Sequence, residues 1–398
     1  MRDLLPAEAE VQGSLAASVL GTFELFGYQQ VSVPAFEYAE VLQRGLGAVD
    51  PASLLRFVEP QTGEVVALRP DMTPQLARLV STRLKDRPVP ARLSYRGSVM
   101  RRQHERARHD QQILQAGIEL VGAGGLDADI EVISACLAAL ENAGLSNYVL
   151  DLGHGAIATS LLSQLPAKAS TGLLESLNQK DAAELKRRAD RVDWPSELRE
   201  AFVALAGLQG GLDVFDQARP LLEKTPAWAH ILQLQKLAQA LSAQAKLALV
   251  VDLGETRATA YYTGPTFQVL AEGPGQAVAS GGRYDDLYGL FGAPRPAAGA
   301  GIQLDHLRWA LGPRRELPLR VVAEKQARAV VSVLREAQIP CVLCESDQVV
   351  DYGRAWGYSH IVRLSEGSKP YRLQKMSANE LVDLGPVALC ELAASLRS

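Results

Sequence analysis

The chain has 398 residues, 47% of them hydrophobic, enough for two or three domains around a sizeable core. Its 41 basic residues stand against 45 acidic ones, a net charge of −4, so no general attraction to nucleic acid is expected, although a local basic patch is compatible with that balance. No apolar run reaches the roughly 18–20 residues that span a bilayer, and MRDLLPAEAE lacks the apolar core of a signal peptide. A soluble cytoplasmic protein with neither a nucleic-acid nor a membrane partner is expected.

In chain order, Leu15, Val19, Phe23 and Phe26 recur at helical spacing over about residues 7–30, a pattern that stops at Gly27. YQQVSVPAFE alternates like a strand, with Pro34 at its irregular end. LLRFVEP and EVVALRP predict two further strands joined by a turn at TGE. A helix is expected from Pro74 to about Leu84, then an antiparallel pair, ARLSYRGSVMR and QQILQAGIELVG, around the basic loop RQHERARHD. DADIEVISACLAALENAG predicts an amphipathic helix ending at Gly144.

From about residue 165 to 245 the composition turns helix-forming, as in an inserted helical unit. LALVVDLGE, RATAYYTG and FQVLAEG then predict strands, followed by the glycine-rich ASGGRYDD and a helix from about Gln303 to Leu311. Beyond the linker GPRRELP, the run from VVAEKQ to VLCES reads as strand–helix–strand. No GxGxxG follows a strand, which argues against a dinucleotide-binding fold. The order predicts an α+β main domain on an antiparallel sheet, then a small α/β unit.

The four cysteines are too few for a disulfide framework in a chain this long. Cys341 and Cys344 form a CxxC, but three residues apart on a strand they face opposite ways and cannot share a metal, so buried structural thiols are expected and no metal site.

Several polar groups stand out. The basic loop includes Arg101, Arg102, His104, Arg106, Arg108 and His109; an arginine at a strand end can clamp a phosphate or carboxylate, whereas a solvated hairpin loop would look the same in sequence. Gln115 and Glu119, four apart on a predicted strand, share a face and suggest a polar pocket floor. Asp71 and Thr73 in LRPDMTP share a face of an extended segment and suit an amino group, although either could instead cap the helix that starts at Pro74. ETRATAYYTG adds Arg257, Tyr261 and Tyr262.

In order and spacing these pieces resemble the class II aminoacyl-tRNA synthetase catalytic domain, and specifically histidyl-tRNA synthetase. RDLLP is similar to that family's opening, GYQQVSVPAFE to its dimer-forming motif 1, and YRGSVMRRQHERARHDQQILQAGIELVG, with Arg101, to motif 2. RATAYY and SGGRYDDL are similar to its two histidine signatures. The resemblance implies a class II synthetase-like domain over residues 1–311, with the helical insertion at about 165–245, and a small α/β domain over 312–398 that resembles a shortened anticodon-binding domain.

The departures from that family fall on one side. Gln103 replaces a glutamate on the adenine side, Ala260 replaces an aspartate, and in PAAGAGIQLDHLRWAL the resemblance puts His306 where the family's motif 3 arginine stands, with Asp305 before it. That arginine holds the terminal phosphates of ATP, and an imidazole offers no bidentate fork. Losing such a clamp costs on the order of 10²–10³ in rate, so amino-acid activation is expected to fail. The histidine side is kept: Thr73, Gln115, Glu119, Arg257, Tyr262 and Tyr284 match, and Asp71 stands for a glutamate.

A histidine pocket without a nucleotide clamp resembles the regulatory-subunit family of ATP phosphoribosyltransferase, whose own version of LRPDMTPQ is similar. The resemblance implies a non-catalytic subunit, itself dimeric, in a hetero-octamer with a short-form catalytic phosphoribosyltransferase. It would be required for the first step of histidine biosynthesis and would mediate feedback inhibition by histidine, with no cofactor of its own. The histidine-binding set it implies is Asp71, Thr73, Arg101, Gln115, Glu119, Arg257, Tyr262 and Tyr284. A divergent histidyl-tRNA synthetase activating histidine with ATP is the rival reading. Whether histidine occupies this pocket or the contact with the catalytic partner stays open at this stage, as does the partner-facing surface.

Overall fold

The computed structural model describes residues 3–46, 54–100, 112–163, 165–243, 247–256, 261–312, 318–377 and 380–397. Arg101, Gln103 and the basic loop, Arg257 and Ala260, and most of the GPRRELP linker lie outside the described residues. The chain divides into two compact units, Met1–Gly312 and Pro313–Ser398.

The first unit opens with α1 (Pro6–Leu25), started by Pro6 in its first turn, where the missing N–H costs nothing. Its Leu15, Ala16, Val19 and Phe23 are buried, whereas Phe26 lies past the helix end and is exposed. β1 (Gln29–Val31), β2 (Phe36–Tyr38), α2 (Ala39–Leu46), β3 (Arg56–Val58) and β4 (Val65–Leu68) follow, then α3 (Thr73–Thr82), β5 (Ala91–Met100), β6 (Gln112–Val121), α4 (Leu126–Asn142), β7 (Val149–His154) and α5 (Gly155–Leu161). The helical insertion comprises α6 (Ala167–Asn178), α7 (Ala182–Ala189), α8 (Ser196–Ala204), a two-residue β8 (Gln209–Gly210), α9 (Val214–Leu222) and α10 (Trp228–Ser242). β9 (Ala248–Asp252), β10 (Pro265–Leu270), β11 (Ala279–Arg283), β12 (Ala297–Gln303) and α11 (Leu304–Leu311) complete the unit.

Nine strands form one sheet in the order β1-β5-β6-β12-β11-β10-β7-β9-β8. The sheet is antiparallel through its centre, but β1 pairs parallel to β5 and β7 parallel to β9. The antiparallel sheet expected from the sequence is present, with these two parallel pairings near its margins. β2, β4 and β3 make a separate three-stranded sheet.

Strand alternation divides the large sheet chemically. Ala116, Ile118 and Leu120 of β6 and Ala298, Ala300 and Ile302 of β12 join the main core with residues of α1 and α4. The intervening Gln115, Gly117, Glu119, Gly299 and Gly301 fall on the other face, paired strand to strand as Gly299 with Glu119 and Gly301 with Gly117. One face thus closes the core and the other is left to build a site.

Two sequence readings change. The described part of RATAYYTG, Tyr261–Gly264, is a turn rather than a strand. ASGGR and AAGAGIQ, too glycine-rich to be read as strands, are β11 and β12 at the centre of the sheet.

The second unit contains β13 (Val321–Glu324), α12 (Ala329–Glu336), β14 (Cys341–Cys344), α13 (Val349–Ala355), β15 (His360–Leu364), β16 (Tyr371–Met376), β17 (Leu381–Val387) and α14 (Leu392–Arg397). Its sheet runs β14-β13-β15-β16-β17, parallel across the first three and antiparallel across the last three. Cys341 and Cys344 pack into different apolar clusters, as residues three apart on a strand must.

Burial pushes the Cys136 thiol up to about 12 and the Cys341 thiol up to about 11, while Cys390 is exposed. The native chain should therefore react with a thiol reagent at Cys390, and at Cys136, Cys341 and Cys344 only on unfolding. Labelling of Cys341 at the rate of Cys390 would contradict that placement.

Candidate functional site

The glycine rows of β6 and β12 leave space above the sheet that side chains fill from three directions. A Cβ on Gly299 would collide with the Tyr284 hydroxyl and Glu119 Oε2, one on Gly301 with the Gln115 amide, and one on Gly117 with the Tyr95 hydroxyl. Side chains at these positions would occupy the site, so the glycines there make room for its polar groups. The resulting cavity is about 560 Å³, and its walls include Asp71, Thr73, Tyr95, Gln115, Tyr261, Tyr262 and Tyr284.

Glu119, 1% exposed, lies behind this lining, bonded to two of its residues. The Thr73 hydroxyl donates to Glu119 Oε1 at 2.8 Å, and the Tyr284 hydroxyl donates to Glu119 Oε2. Burial drives the carboxyl up to about 8 despite both hydrogen bonds, with the Asp71 carboxylate adding to the rise. The same burial and the neighbouring Glu119 raise the Tyr284 hydroxyl well above its ordinary value.

Asp71 and Thr73 do not share one face of an extended segment. Thr73 opens α3, and Asp71 Oδ1 accepts its backbone N–H at 2.9 Å, satisfying one of the orphan donors of a helix start. Asp71 Oδ2 accepts from the Tyr261 hydroxyl at 2.9 Å. This one carboxylate thus both satisfies the start of α3 and lines the cavity. Thr73, in turn, spends its hydroxyl proton on Glu119 rather than beside Asp71.

Three tyrosines form an aromatic wall. Tyr261 lies 5.0 Å from Tyr262 and 5.4 Å from Tyr284 between ring centroids, and Tyr262 lies 6.1 Å from Tyr284. Arg283 fixes the strand end that carries Tyr284: its Nε donates to Asp129 at 2.9 Å, its guanidinium also reaches Asp285 at 3.0 Å, and Asp285 accepts from Ala297 N–H. Gln115 is 5% exposed, and its Oε1 has no hydrogen-bond partner among the described residues. An acceptor left bare in this way costs about 1–3 kcal/mol and is ready for a ligand N–H.

Of the eight residues singled out from the sequence, Asp71, Thr73, Gln115, Glu119, Tyr262 and Tyr284 converge here, while Arg101 and Arg257 lie outside the described residues. The site also uses Tyr95, opposite Gly117 in the strand register, and Tyr261. Tyr95 had a signal in the strand alternation of ARLSYRG, whereas Glu255 and Asn178, also lining the cavity, had none.

His306 does not line the cavity. Its Nδ1 lies 2.9 Å from the backbone oxygen of Ala277 and donates to it. The preceding Asp305 accepts from Gln12 Nε2 at 2.5 Å and from Leu114 N–H at 2.9 Å, tying α11 to α1 and β6. No basic side chain lines the cavity among the described residues, and they include no group of three or more His, Cys, Asp or Glu residues that could hold a metal. No helix among them is long and apolar enough to cross a membrane.

The histidyl-tRNA synthetase family model matches residues 1–307. Proteins named ATP phosphoribosyltransferase regulatory subunit are 37% identical over 84% of this chain and 87% of the relative from Moorella thermoacetica, and 31% identical over 95% and 92% for that from Syntrophotalea carbinolica. The chain belongs to the ATP phosphoribosyltransferase regulatory subunit family. Among solved structures, a Bacillus halodurans protein described as an ATP phosphoribosyltransferase regulatory subunit/histidyl-tRNA synthetase superposes with a TM-score of 0.80, at 28% identity over 91% of this chain and 96% of that one. A Nostoc histidyl-tRNA synthetase, 18% identical over 100% and 97%, has a TM-score of 0.79, so the fold is that of the class II synthetases. The cavity and Glu119 thus lie within the residues that match the family model.

The folded Glu119 carboxyl, at about 8, stands above its ordinary 4.5. Between those values the folded chain holds a proton that the unfolded chain has released, so the group's contribution to stability falls as pH rises through the window. Relative to Glu119→Gln, the wild-type chain should lose stability between about pH 5 and 8 in denaturant titrations. A pH-independent difference would place Glu119 in a solvated or cation-paired setting.

Proposed function

We propose that the chain is a non-catalytic subunit that binds histidine in this cavity and passes its occupancy to a short-form catalytic ATP phosphoribosyltransferase. The observation that carries the reading is the buried Glu119, held by two hydroxyls and flanked by Asp71 and the bare Gln115 oxygen, with no basic group among the described lining residues. Such a site suits a small ligand that brings its own N–H donors and positive charge, and the tyrosine wall suits a flat imidazole.

In this reading the ligand's amino group meets Asp71 and Gln115 beside Thr73, and its imidazole meets Glu119, Tyr262 and Tyr284. Arg257 takes the carboxylate, and Arg101 completes the set. Coupling to the partner of about 1–3 kcal/mol would give feedback inhibition. The assembly proposed is a cytoplasmic hetero-octamer built on dimers of this chain, in which residues 1–311 carry the site and 312–398 form a separate domain.

Catalytic silence rests on position 306. An imidazole hydrogen-bonded to a backbone oxygen outside the cavity lining is no substitute for a phosphate-clamping guanidinium. Arginine forks hold phosphates with paired bonds that a single ring nitrogen does not supply.

Charge reversal tests the site in the complex. Asp71→Lys and Glu119→Lys should each abolish histidine inhibition of phosphoribosyl transfer, and the wild-type chain should support no histidine-dependent exchange of pyrophosphate into ATP. Inhibition that survives both substitutions would move the sensing site elsewhere, and measurable exchange would favour a divergent synthetase.

A further inference from the structure

Part of the cavity wall comes from the helical insertion. Asn178, the last residue of α6, lines the cavity. Two residues on, Lys180 takes a left-handed backbone conformation (φ 56°), which turns the chain sharply between α6 and α7. Its ammonium donates to Asp252 Oδ1 at 2.7 Å, and the Asp252 carboxylate is 4% exposed. The same oxygen accepts Gly254 N–H at 2.9 Å.

Asp252 opens the short segment that leads to the cavity residue Glu255, and the insertion grips this segment again along its length. Leu253 N–H donates to Leu208 O at 3.0 Å, and β8 pairs with the end of β9. A Cβ at Gly254 would collide with the Leu205 carbonyl and come 3.1 Å from Lys180 Nζ. The backbone there passes too close to the insertion to move independently of it.

The other side of the same wall rests on β7. A Cβ at Gly153 would come 2.8 Å from Glu255 Cβ, and one at Gly155 would come 2.9 Å from Tyr262 O. His154, between them, points its side chain to α10, with Nε2 3.1 Å from Gln233 Oε1 and its ring 4.9 Å from that of His230.

We propose that the helical insertion is the element that reads the cavity, with Lys180 as the positioning residue that makes the Asp252–Glu255 wall and the α6–α7 corner move together when ligand binds. The inference rests on the histidine-sensing reading above. It names which part of the chain changes on binding, and it assigns Lys180 to coupling rather than to ligand contact.

Hydrogen exchange on the purified chain with and without histidine, and phosphoribosyl transfer by the complex, test it in wild type, Lys180→Met and Asp252→Asn. In wild type, histidine should slow exchange in residues 167–242 as well as around the cavity. Lys180→Met should keep histidine affinity within about threefold yet lose the protection in 167–242 and raise the half-inhibiting histidine concentration at least about tenfold. Asp252→Asn keeps an acceptor for Gly254 N–H, and should repeat that split if the effect comes from the lost ion pair rather than from misfolding.

Protection confined to the cavity in wild type, or unchanged inhibition in both variants, would overturn the proposal. An equal loss of affinity and inhibition would do the same, because it would make Lys180 part of the binding site. If wild type binds no histidine at all, the sensing reading itself fails and the proposal falls with it.

Discussion

The structure of the site depends on how Glu119 is kept in the interior. Removing a carboxylate from water costs several kcal/mol after relaxation. Hydrogen bonds to a charged acceptor return about 1.5–3 kcal/mol each. The hydroxyls of Thr73 and Tyr284 therefore come close to offsetting the penalty without exceeding it, in keeping with a carboxyl raised to about 8. Thr73 sits at the start of α3, Tyr284 just beyond β11 and Glu119 on β6, so three elements distant in sequence must close together to satisfy one group. In the proposed reading this arrangement is completed by a ligand that brings positive charge or N–H donors.

The glycine rows are the other half of that constraint. Gly299 and Gly301 face Glu119 and Gly117 across β12 and β6, and each has a polar group of the site where its side chain would stand. The opposite face of the same strands is alanine, isoleucine and leucine packed into the core with α1 and α4. Stability is supplied by one face of the sheet, and the other face is free to be polar. The helix beyond β12 follows the same division. Asp305 binds Gln12 and the Leu114 backbone, and His306 binds the Ala277 backbone, so both residues tie α11 to its neighbours.

Much of this was legible in the sequence, for identifiable reasons. Gln115 and Glu119 lie four apart on a strand, and period-two alternation puts them on one face whatever the fold around them. The helices α1 and α4 and the insertion carried strong periodicity or composition. β11 and β12 were unreadable because glycine has low strand propensity, and their membership of the sheet is decided by neighbours rather than by local preference. The double use of Asp71, capping α3 and accepting from Tyr261, needed a contact 190 residues away that no local pattern announces. His306 stood out in the sequence, but its bond to Ala277 depends on tertiary packing.

The most direct test of the account is a calorimetric titration of histidine into the isolated wild-type chain and into Glu119→Gln. The substitution keeps the side-chain shape and removes the ionisable group. That group holds its proton up to about pH 8 in the free chain and becomes a charged acceptor only by giving that proton up to a bound imidazole. The account predicts one histidine bound per chain, with affinity at least about tenfold weaker in the variant, the loss expected for one charged hydrogen bond worth about 1.4 kcal/mol or more. Equal affinity in the two chains, or no binding to the wild-type chain, would contradict it.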